Sequence, residues 1–243
     1  MREEILNYSV DGLVCHGYIV YDDTKSAVRP GVLVAHAWRG QDTFAKNKAR
    51  QLAELGFVAL AVDYYGNGKT ADDSAQALSL MKPLFLDRAL LQRRMQKALS
   101  ALTSHPLVQK DQIGAIGFCF GGLAVIELFR SASPVTKTVS FHAVLGSELQ
   151  GEKARTVPCA KNIPGQLLVL HGQSDPLVTA DDIRALQQEL VEARVDWQMH
   201  IYGNTMHAFT VPEANDPNSG LMYNPTAEKR SWQAMRSFFA ESF

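Results

Sequence analysis

The feature that most constrains this chain is the segment at residues 117–121, which reads Gly-Phe-Cys-Phe-Gly. It follows an apolar, strand-like run at 113–116 and precedes a helix-like stretch at 122–130. A Gly-x-nucleophile-x-Gly sequence between a strand and a helix is typical of a nucleophile elbow, a tight turn that tolerates little side-chain bulk. At a helix N-terminus, the dipole and the free N–H groups favour the thiolate form of Cys119. The alternative is a buried structural cysteine in a glycine-bordered turn, and the segment alone leaves both open.

An acid and a histidine follow Cys119 in the order that an elbow enzyme requires. Asp175 follows the apolar run 167–170, in the loop His-Gly-Gln-Ser-Asp-Pro at 171–176. His207 follows a further strand-like run at 197–202. Parallel strands end at one edge of a sheet, where open α/β sheets bind their ligands. We therefore expect Cys119, Asp175 and His207 to meet at that edge as a catalytic triad.

Strand-like and helix-like stretches alternate along the chain, which predicts the α/β class with a mainly parallel sheet and helices on both faces. No repeat, low-complexity tract or change in composition divides the sequence, so we predict one domain over residues 1–243. Pro83 interrupts the helical segment at about 70–104 and predicts two helices there, at 72–82 and 85–102. The other predicted strands are 13–21, 31–36, 58–62, 113–117, 138–141, 167–170 and 195–201, and the other helices are 44–55, 122–130, 181–193 and 227–239.

Composition and charge exclude several classes of protein. The 243 residues are 46% hydrophobic and 20% charged, with a formal net charge of -1, as in ordinary globular proteins. No basic region indicates nucleic-acid binding, no apolar stretch is long enough to span a membrane, and the first residues do not resemble a signal peptide. Three cysteines do not form a disulfide framework, and we interpret Cys15 and Cys159 as structural. We expect a cytoplasmic protein with no nucleic-acid or membrane partner.

Taken together, these motifs resemble those of the dienelactone hydrolase family, cysteine enzymes with the α/β-hydrolase fold. The resemblance covers nearly the whole chain and includes segments 29–40, 55–59, 62–66, 117–122, 171–176 and 207–209. It implies the α/β-hydrolase fold, with Cys119 as nucleophile, Asp175 as acid and His207 as base. It also implies that the backbone N–H groups of Trp38 and Phe120 form an oxyanion hole.

The function that follows is hydrolysis of a small carboxylic ester or lactone, with no cofactor. His207 draws the proton from Cys119, Asp175 orients the imidazole, and the thiolate forms an acyl-thioester that water hydrolyses. The same triad also serves a thioesterase or a cysteine peptidase for small substrates. A third interpretation is a catalytically weak binding protein, because fold does not decide function. The oligomeric state is left open.

Two positions depart from the family pattern and bear on the substrate. The resemblance implies a glutamate just after the first core strand that helps to activate the thiol, but this chain has Ala37 there. It also implies an arginine four residues after the catalytic histidine that binds a substrate carboxylate, but this chain has Val211. We therefore expect a less polar or uncharged ester. The competing interpretation is that Lys82 or Arg88 supplies the positive charge from the helical segment.

Further residues at or near predicted strand ends are candidates for the surroundings of the site. His36, Tyr64, Phe85 and His142 are predicted to line a substrate pocket, although Tyr64 and Phe85 are equally well explained as core residues. His36 and His171 are expected to brace the oxyanion and acid loops by hydrogen bonds. None of these residues shows the compact spacing of metal ligands, so no metal site is predicted.

Overall fold

The computed structural model describes residues 1–241, and these confirm the predicted α/β architecture. The strands are β1 Arg2–Val10, β2 Leu13–Tyr21, β3 Arg29–Ala35, β4 Val58–Ala61, β5 Val108–Phe118, β6 Lys137–Phe141, β7 Glu148–Leu149, β8 Glu152–Lys153, β9 Gln166–Gly172, β10 Asp196–Tyr202, β11 Asn215–Asp216 and β12 Leu221–Met222. The α-helices are α1 Thr43–Glu54, α2 Ser74–Leu86, α3 Arg88–Thr103, α4 Phe120–Arg130, α5 Ala180–Ala193 and α6 Pro225–Glu241.

Eight of these strands form one sheet in the order β1-β2-β4-β3-β5-β6-β9-β10. β1 is antiparallel to β2, and β2 is antiparallel to β4. The neighbouring pairs from β4 to β10 are all parallel. Parallel neighbours need long crossover connections, which the helices supply on both faces of the sheet. The carboxyl ends of the parallel strands therefore lie along one edge.

The core lies on both faces of the central strands, where side chains alternate between the faces with a period of two. In β3, Leu33 packs in the cluster that includes residues of α3 and α4, whereas Val34 packs in the cluster that includes residues of α1 and α6. A third cluster joins Ile126 of α4 to Leu186 of α5. Burial on both faces explains why the central strands read as nearly continuous apolar runs in the sequence.

The helical segment differs from its prediction. The break predicted at Pro83 is wrong, because α2 continues through this residue to Leu86 and α3 begins at Arg88. Asp87 separates the two helices, and its side chain accepts the Leu90 N–H at 3.0 Å and so caps α3. The proline removes one helical hydrogen bond, but a capping carboxylate one turn later decides where the chain turns.

The sequence patterns also missed the first strand. β1 carries charged residues at its start, is largely exposed and pairs with β2 alone at the edge of the sheet, so its apolar signal is weak. β5 begins at Val108, five residues before the predicted 113–117 strand. The single domain over 1–243 stays a prediction, and its last two residues lie outside the described part of the chain. Within residues 1–241, no helix combines the length and the hydropathy needed to cross a membrane.

Candidate active site

The elbow is formed by the end of β5, Cys119 and the first turn of α4. Cys119 has φ 56° and ψ -116°, a backbone conformation that L residues rarely adopt. A Cβ atom at Gly117 would lie 2.0 Å from the carbonyl oxygen of Gly121, and a Cβ at Gly121 would lie 2.1 Å from the carbonyl oxygen of Ala35. Glycine is therefore required at both positions, and the turn packs directly on the end of β3.

The Cys119 thiol lies at the N-terminus of α4 and is partly exposed. No side chain caps this helix end, so the positive end of the helix dipole lies beside Cys119. The other two cysteines differ in this respect. Burial raises the pKa of both Cys15 and Cys159 to about 11, which keeps their thiols protonated at neutral pH. Cys119 is thus the cysteine with the surroundings of a nucleophile.

Asp175 and His207 form the second part of the site. Asp175 Oδ2 and His207 Nδ1 lie 2.7 Å apart, and both side chains are buried. The other carboxylate oxygen of Asp175 accepts the Leu177 N–H at 2.9 Å. The His207 backbone is held by hydrogen bonds of 3.0 Å to the Gly220 carbonyl and from the Met222 N–H. The acid therefore fixes the tautomer of the imidazole and leaves Nε2 for proton transfer.

The charge state of His207 depends on both partners. Burial lowers the pKa of His207, but the negative charge of Cys119 and the hydrogen bond with Asp175 outweigh burial and raise it to about 10. Nε2 is buried, and a hydrogen bond between the imidazole and Cys119 also raises this pKa. This nitrogen is therefore placed to exchange a proton with the thiol.

The two residues predicted for the oxyanion hole lie on chain segments that meet at the elbow. Phe120 is the first residue of α4, and Trp38 follows β3 by three residues. For the part of the chain that the structure describes, neither backbone N–H donates a hydrogen bond. The close approach of Gly121 to Ala35 brings the two segments together. Both N–H groups are therefore available to a developing negative charge.

Two further histidines pack around His207. His142 Nε2 lies 2.7 Å from Thr210 Oγ1, and the His142 ring packs edge-on against His207 with centroids 5.1 Å apart. Burial lowers the pKa of His142 and of His171, so both are neutral beside the charged imidazole. The brace expected from His171 is not observed, since its buried Nδ1 has no hydrogen-bond partner within residues 1–241. Thr205 holds the acid loop instead, because its carbonyl accepts the Ser174 N–H at 2.9 Å.

The four residues predicted to line a pocket are all buried in this structure. His36, Tyr64, Phe85 and His142 are each at most 3% exposed, so they form the layer beneath the site. A place in a substrate pocket stays a prediction for each of them. The expected brace by His36 is confirmed, since its Nδ1 lies 2.6 Å from the Ala37 carbonyl oxygen.

The two cations considered for substrate charge are both engaged elsewhere. Arg88 is buried, its Nη2 donates to the Gly146 carbonyl at 3.0 Å, and its Nη1 lies 3.9 Å from Glu127. Lys82 pairs with Glu152 at 2.6 Å. Within residues 1–241, no group of three or more His, Cys, Asp or Glu side chains is placed to hold a metal ion.

The sequence patterns gave no role to Tyr65, Thr205 or Thr210. Tyr65 donates to the Trp38 carbonyl at 2.8 Å, and Thr210 contacts His142 as described above. These residues act across the fold, from strand ends that are distant in the sequence. In the sequence, only their positions after predicted strands indicate that they lie near the site.

Comparison with known proteins adds to this geometry. The family model described as the dienelactone hydrolase family matches residues 16–243. An uncharacterized protein of Caenorhabditis elegans is 35% identical over 155 residues, which are 63% of this chain and 94% of that protein. A putative carboxymethylenebutenolidase of Synechocystis is 23% identical over 218 residues, covering 86% of this chain and 85% of the relative.

A solved structure is similar over nearly the full length of both chains. It is a dienelactone hydrolase-like promiscuous phosphotriesterase from metagenomic libraries, and it is 40% identical to this chain. The TM-score is 0.90, and the match covers 99% of this chain and 98% of the other. The sheet order and the helices around it are therefore those of the α/β-hydrolase-like fold.

Proposed function

Since this chain belongs to the dienelactone hydrolase family and is thereby an ester or lactone hydrolase, we propose that a Cys119–His207–Asp175 triad performs its chemistry through an acyl-thioester. The observation that carries the proposal is the buried 2.7 Å contact between Asp175 and His207, next to a thiol on a strained elbow. A buried carboxylate–imidazole pair beside a thiol is the arrangement that a cysteine nucleophile needs.

The proposed reaction has two halves. In the first, the Cys119 sulfur attacks the ester carbonyl, the oxyanion accepts hydrogen bonds from the Trp38 and Phe120 N–H groups, and His207 gives its proton to the leaving alkoxide. In the second, His207 takes a proton from water, the hydroxide attacks the thioester, and the acid product leaves as the Cys119–His207 pair reforms. For a lactone, the leaving alkoxide and the acid remain one molecule.

The surroundings of the triad favour an uncharged acyl group. Ala37 and Val211 place no charged side chain at the two positions where the family carries one. Arg88 is buried against Gly146 and Glu127, and Lys82 is paired with Glu152. Burying a substrate carboxylate without a cationic partner costs several kcal/mol, so neutral esters and lactones are the proposed substrates. With alanine at position 37, His207 is the proposed base for the thiol.

A second candidate activity is hydrolysis of phosphotriesters at the same site. The observation that favours it is the 40% identity, over nearly the whole chain, with a protein described as a promiscuous phosphotriesterase. A thiolate that attacks a carbonyl carbon also attacks a neutral phosphorus centre, and the same N–H groups serve the phosphoryl oxygen. Thioesterase, small-substrate peptidase and weak binding functions remain alternatives. A panel of ester, lactone, thioester, peptide and phosphotriester substrates separates these activities. The cytoplasmic location of the protein stays a prediction.

Replacement of the nucleophile tests the proposal. We expect Cys119→Ala to lower kcat/KM for 4-nitrophenyl butyrate by about 10⁴-fold or more, because triad members act as a unit. Circular dichroism and thermal unfolding should show a folded protein. The matched control is Cys159→Ala, which removes a partly buried thiol at a different place and should keep the parent's turnover. Parent-like turnover in Cys119→Ala would rule out the thiol mechanism.

A further inference from the structure

The loop that carries the Trp38 N–H is held by side-chain donors at three successive carbonyls. We define residues 36–38 as the oxyanion loop. The Tyr64 hydroxyl donates to the His36 carbonyl, and the Tyr65 hydroxyl donates to the Trp38 carbonyl at 2.8 Å. Between them, the Ala37 carbonyl oxygen lies 2.6 Å from His36 Nδ1. Each carbonyl of the loop therefore has a fixed direction.

These bonds also set the direction of the Trp38 N–H. The Ala37 carbonyl and the Trp38 N–H belong to one planar trans peptide unit and point in opposite directions. The Ala37 carbonyl also accepts the Gly40 N–H at 3.1 Å. Rotation of the Ala37–Trp38 peptide would move the carbonyls of His36 and Trp38. The hydroxyls of Tyr64 and Tyr65 hold these two carbonyls in place. The Trp38 N–H is thus aimed by contacts that do not touch it.

The same two tyrosines contact the residue that supplies the other donor. The Phe120 ring packs edge-on against Tyr64 at 5.8 Å and nearly parallel to Tyr65 at 6.5 Å between centroids. Tyr64 also stacks on the His36 ring at 3.7 Å. One aromatic cluster therefore joins the oxyanion loop to the first residue of α4.

The tyrosines are themselves rigidly placed. Tyr64 is fully buried and Tyr65 is 4% exposed. Arg94 Nη1 donates to the Tyr64 carbonyl at 2.7 Å, and the Asp63 carboxylate accepts the Gly66 N–H at 2.7 Å. Burial and then the charge of Cys119 raise the pKa of Tyr65, so its hydroxyl stays protonated as a donor.

We propose that Tyr64 and Tyr65 are positioning residues that preorganise the oxyanion hole by fixing the Trp38 peptide and the Phe120 side chain. The inference rests on the proposed function, since it concerns the same hole. Neither hydroxyl touches the substrate in this role. Their contribution appears in the transition state, when the carbonyl oxygen gains charge and needs both N–H groups in place.

The first test removes the Tyr65 hydroxyl and keeps its ring. We expect Tyr65→Phe to lower kcat for 4-nitrophenyl butyrate by about tenfold to a hundredfold, with KM within about twofold, because a misaligned donor weakens transition-state binding alone. Tyr64→Phe should act in the same direction through the His36 carbonyl. The control is Tyr21→Phe, which removes a tyrosine hydroxyl whose hydrogen bond to Glu4 joins β2 to β1.

A second readout separates positioning from general disruption. An aliphatic aldehyde adds to the Cys119 sulfur to give a hemithioacetal, in which the S–C bond forms and the carbonyl oxygen becomes an alkoxide in the hole. Iodoacetamide alkylates the same sulfur and expels iodide without forming an oxyanion. Tyr65→Phe should weaken aldehyde inhibition by the same factor as kcat while the alkylation rate stays at the parent's value.

Each outcome of these measurements decides a different question. A Tyr65→Phe variant with parent-like kcat and aldehyde inhibition overturns this inference alone. Equal losses in aldehyde inhibition and in alkylation also overturn it, since they indicate a disturbed thiol and not a misaligned hole. A parent protein without ester turnover overturns the proposed function, and the inference falls with it.

Discussion

At the scale of single residues, strained backbone positions coincide with the candidate site. Cys119, His142 and Ala208, beside His207, have φ values of 56°, 36° and 57°. Such conformations cost about 1–3 kcal/mol each and persist only where the surroundings enforce them. Cys119 is held by its N–H donating to the Phe141 carbonyl at 3.0 Å, and His142 by its N–H donating to the Leu170 carbonyl at 2.8 Å. The neighbouring strands therefore impose the geometry of the reactive residues.

The pH dependence of the thiol tests the residue-scale pairing. The raised pKa of His207, about 10, means that its charge stabilises the fold below its ordinary value of 6.5 and that this contribution is lost as the pH rises through 10. Since the charged imidazole persists beside Cys119 between about pH 7 and 9, the parent should be alkylated by iodoacetamide faster than His207→Ala over that range. His207→Ala should be slower at pH 7 and rise with pH, as an unassisted thiol does.

Rates measured from pH 6 to 10 on both proteins check this expectation. His200→Ala is a suitable control, because His200 is exposed on β10. An alkylation profile of His207→Ala that matches the parent would show that another group activates Cys119.

At the scale of elements, α4 is the helix on which the site depends. It is buried along nearly its whole length, and its Glu127 carboxylate accepts bonds from Gln92 of α3 at 3.0 Å and from Arg130 at 2.8 Å. Arg130 also pairs with Glu189 of α5. These hydrogen bonds and the Arg130–Glu189 ion pair join α4 to both neighbouring helices, while its N-terminus packs on the end of β3. The position of the nucleophile is thus decided by how one helix docks.

Gly121→Ala tests this docking. The new Cβ would lie 2.1 Å from the Ala35 carbonyl oxygen and 2.5 Å from that of His36, so either α4 or the oxyanion loop must move. We expect a loss of about 3 kcal/mol in the free energy of unfolding, at the upper end of overpacking costs. Ester turnover by Gly121→Ala should fall by more than the loss of folded protein accounts for.

The matched control is Gly203→Ala, where a Cβ meets no atom within 4 Å. Its free energy of unfolding should stay within about 0.5 kcal/mol of the parent's. Urea denaturation of the parent, Gly121→Ala and Gly203→Ala measures the free energy of unfolding of each protein. Equal stabilities of Gly121→Ala and the parent would refute the tight docking of α4 on β3.

At the scale of the whole molecule, the site is assembled where the parallel strands end. β3, β5, β9 and β10 lead into Trp38, Cys119, Asp175 and His207, respectively. The sheet thereby gathers residues from across the sequence at one edge, as the general rule for open α/β sheets requires. Val211 is half-buried just after the turn that follows His207.

The charge of the preferred substrate is the corresponding prediction. We expect a lactone that bears a methyl ester to have a higher kcat/KM than the same lactone with a free carboxylate. Val211→Arg should shift that ratio toward the free acid by about tenfold, if the new ion pair gains about 1.4 kcal/mol in the transition state. Val211→Met controls for side-chain length without charge. A parent enzyme that prefers the free acid would contradict the expectation and restore an anionic substrate.

Much of this architecture could be predicted from local patterns. The strand predicted at 13–21 coincides with β2, and the predicted helix 181–193 lies within α5 Ala180–Ala193. Both have strong periodicity or caps that need no partner to be recognised. β1 and the end of α2 were missed, because an exposed edge strand has a weak apolar signal and a capping aspartate overrode a proline.

The sequence by itself determined the α/β class, the elbow segment and the chain order of Cys119, Asp175 and His207, because these depend on residue types, on short motifs and on their order along the chain. Only the tertiary structure decided which residues become partners: Asp175 with His207, Tyr65 with the Trp38 carbonyl, and Arg88 with Glu127. The physical reason is that each of these contacts joins residues on different strands or helices. Their distances are set by how the elements pack, and no local pattern in the chain records that packing.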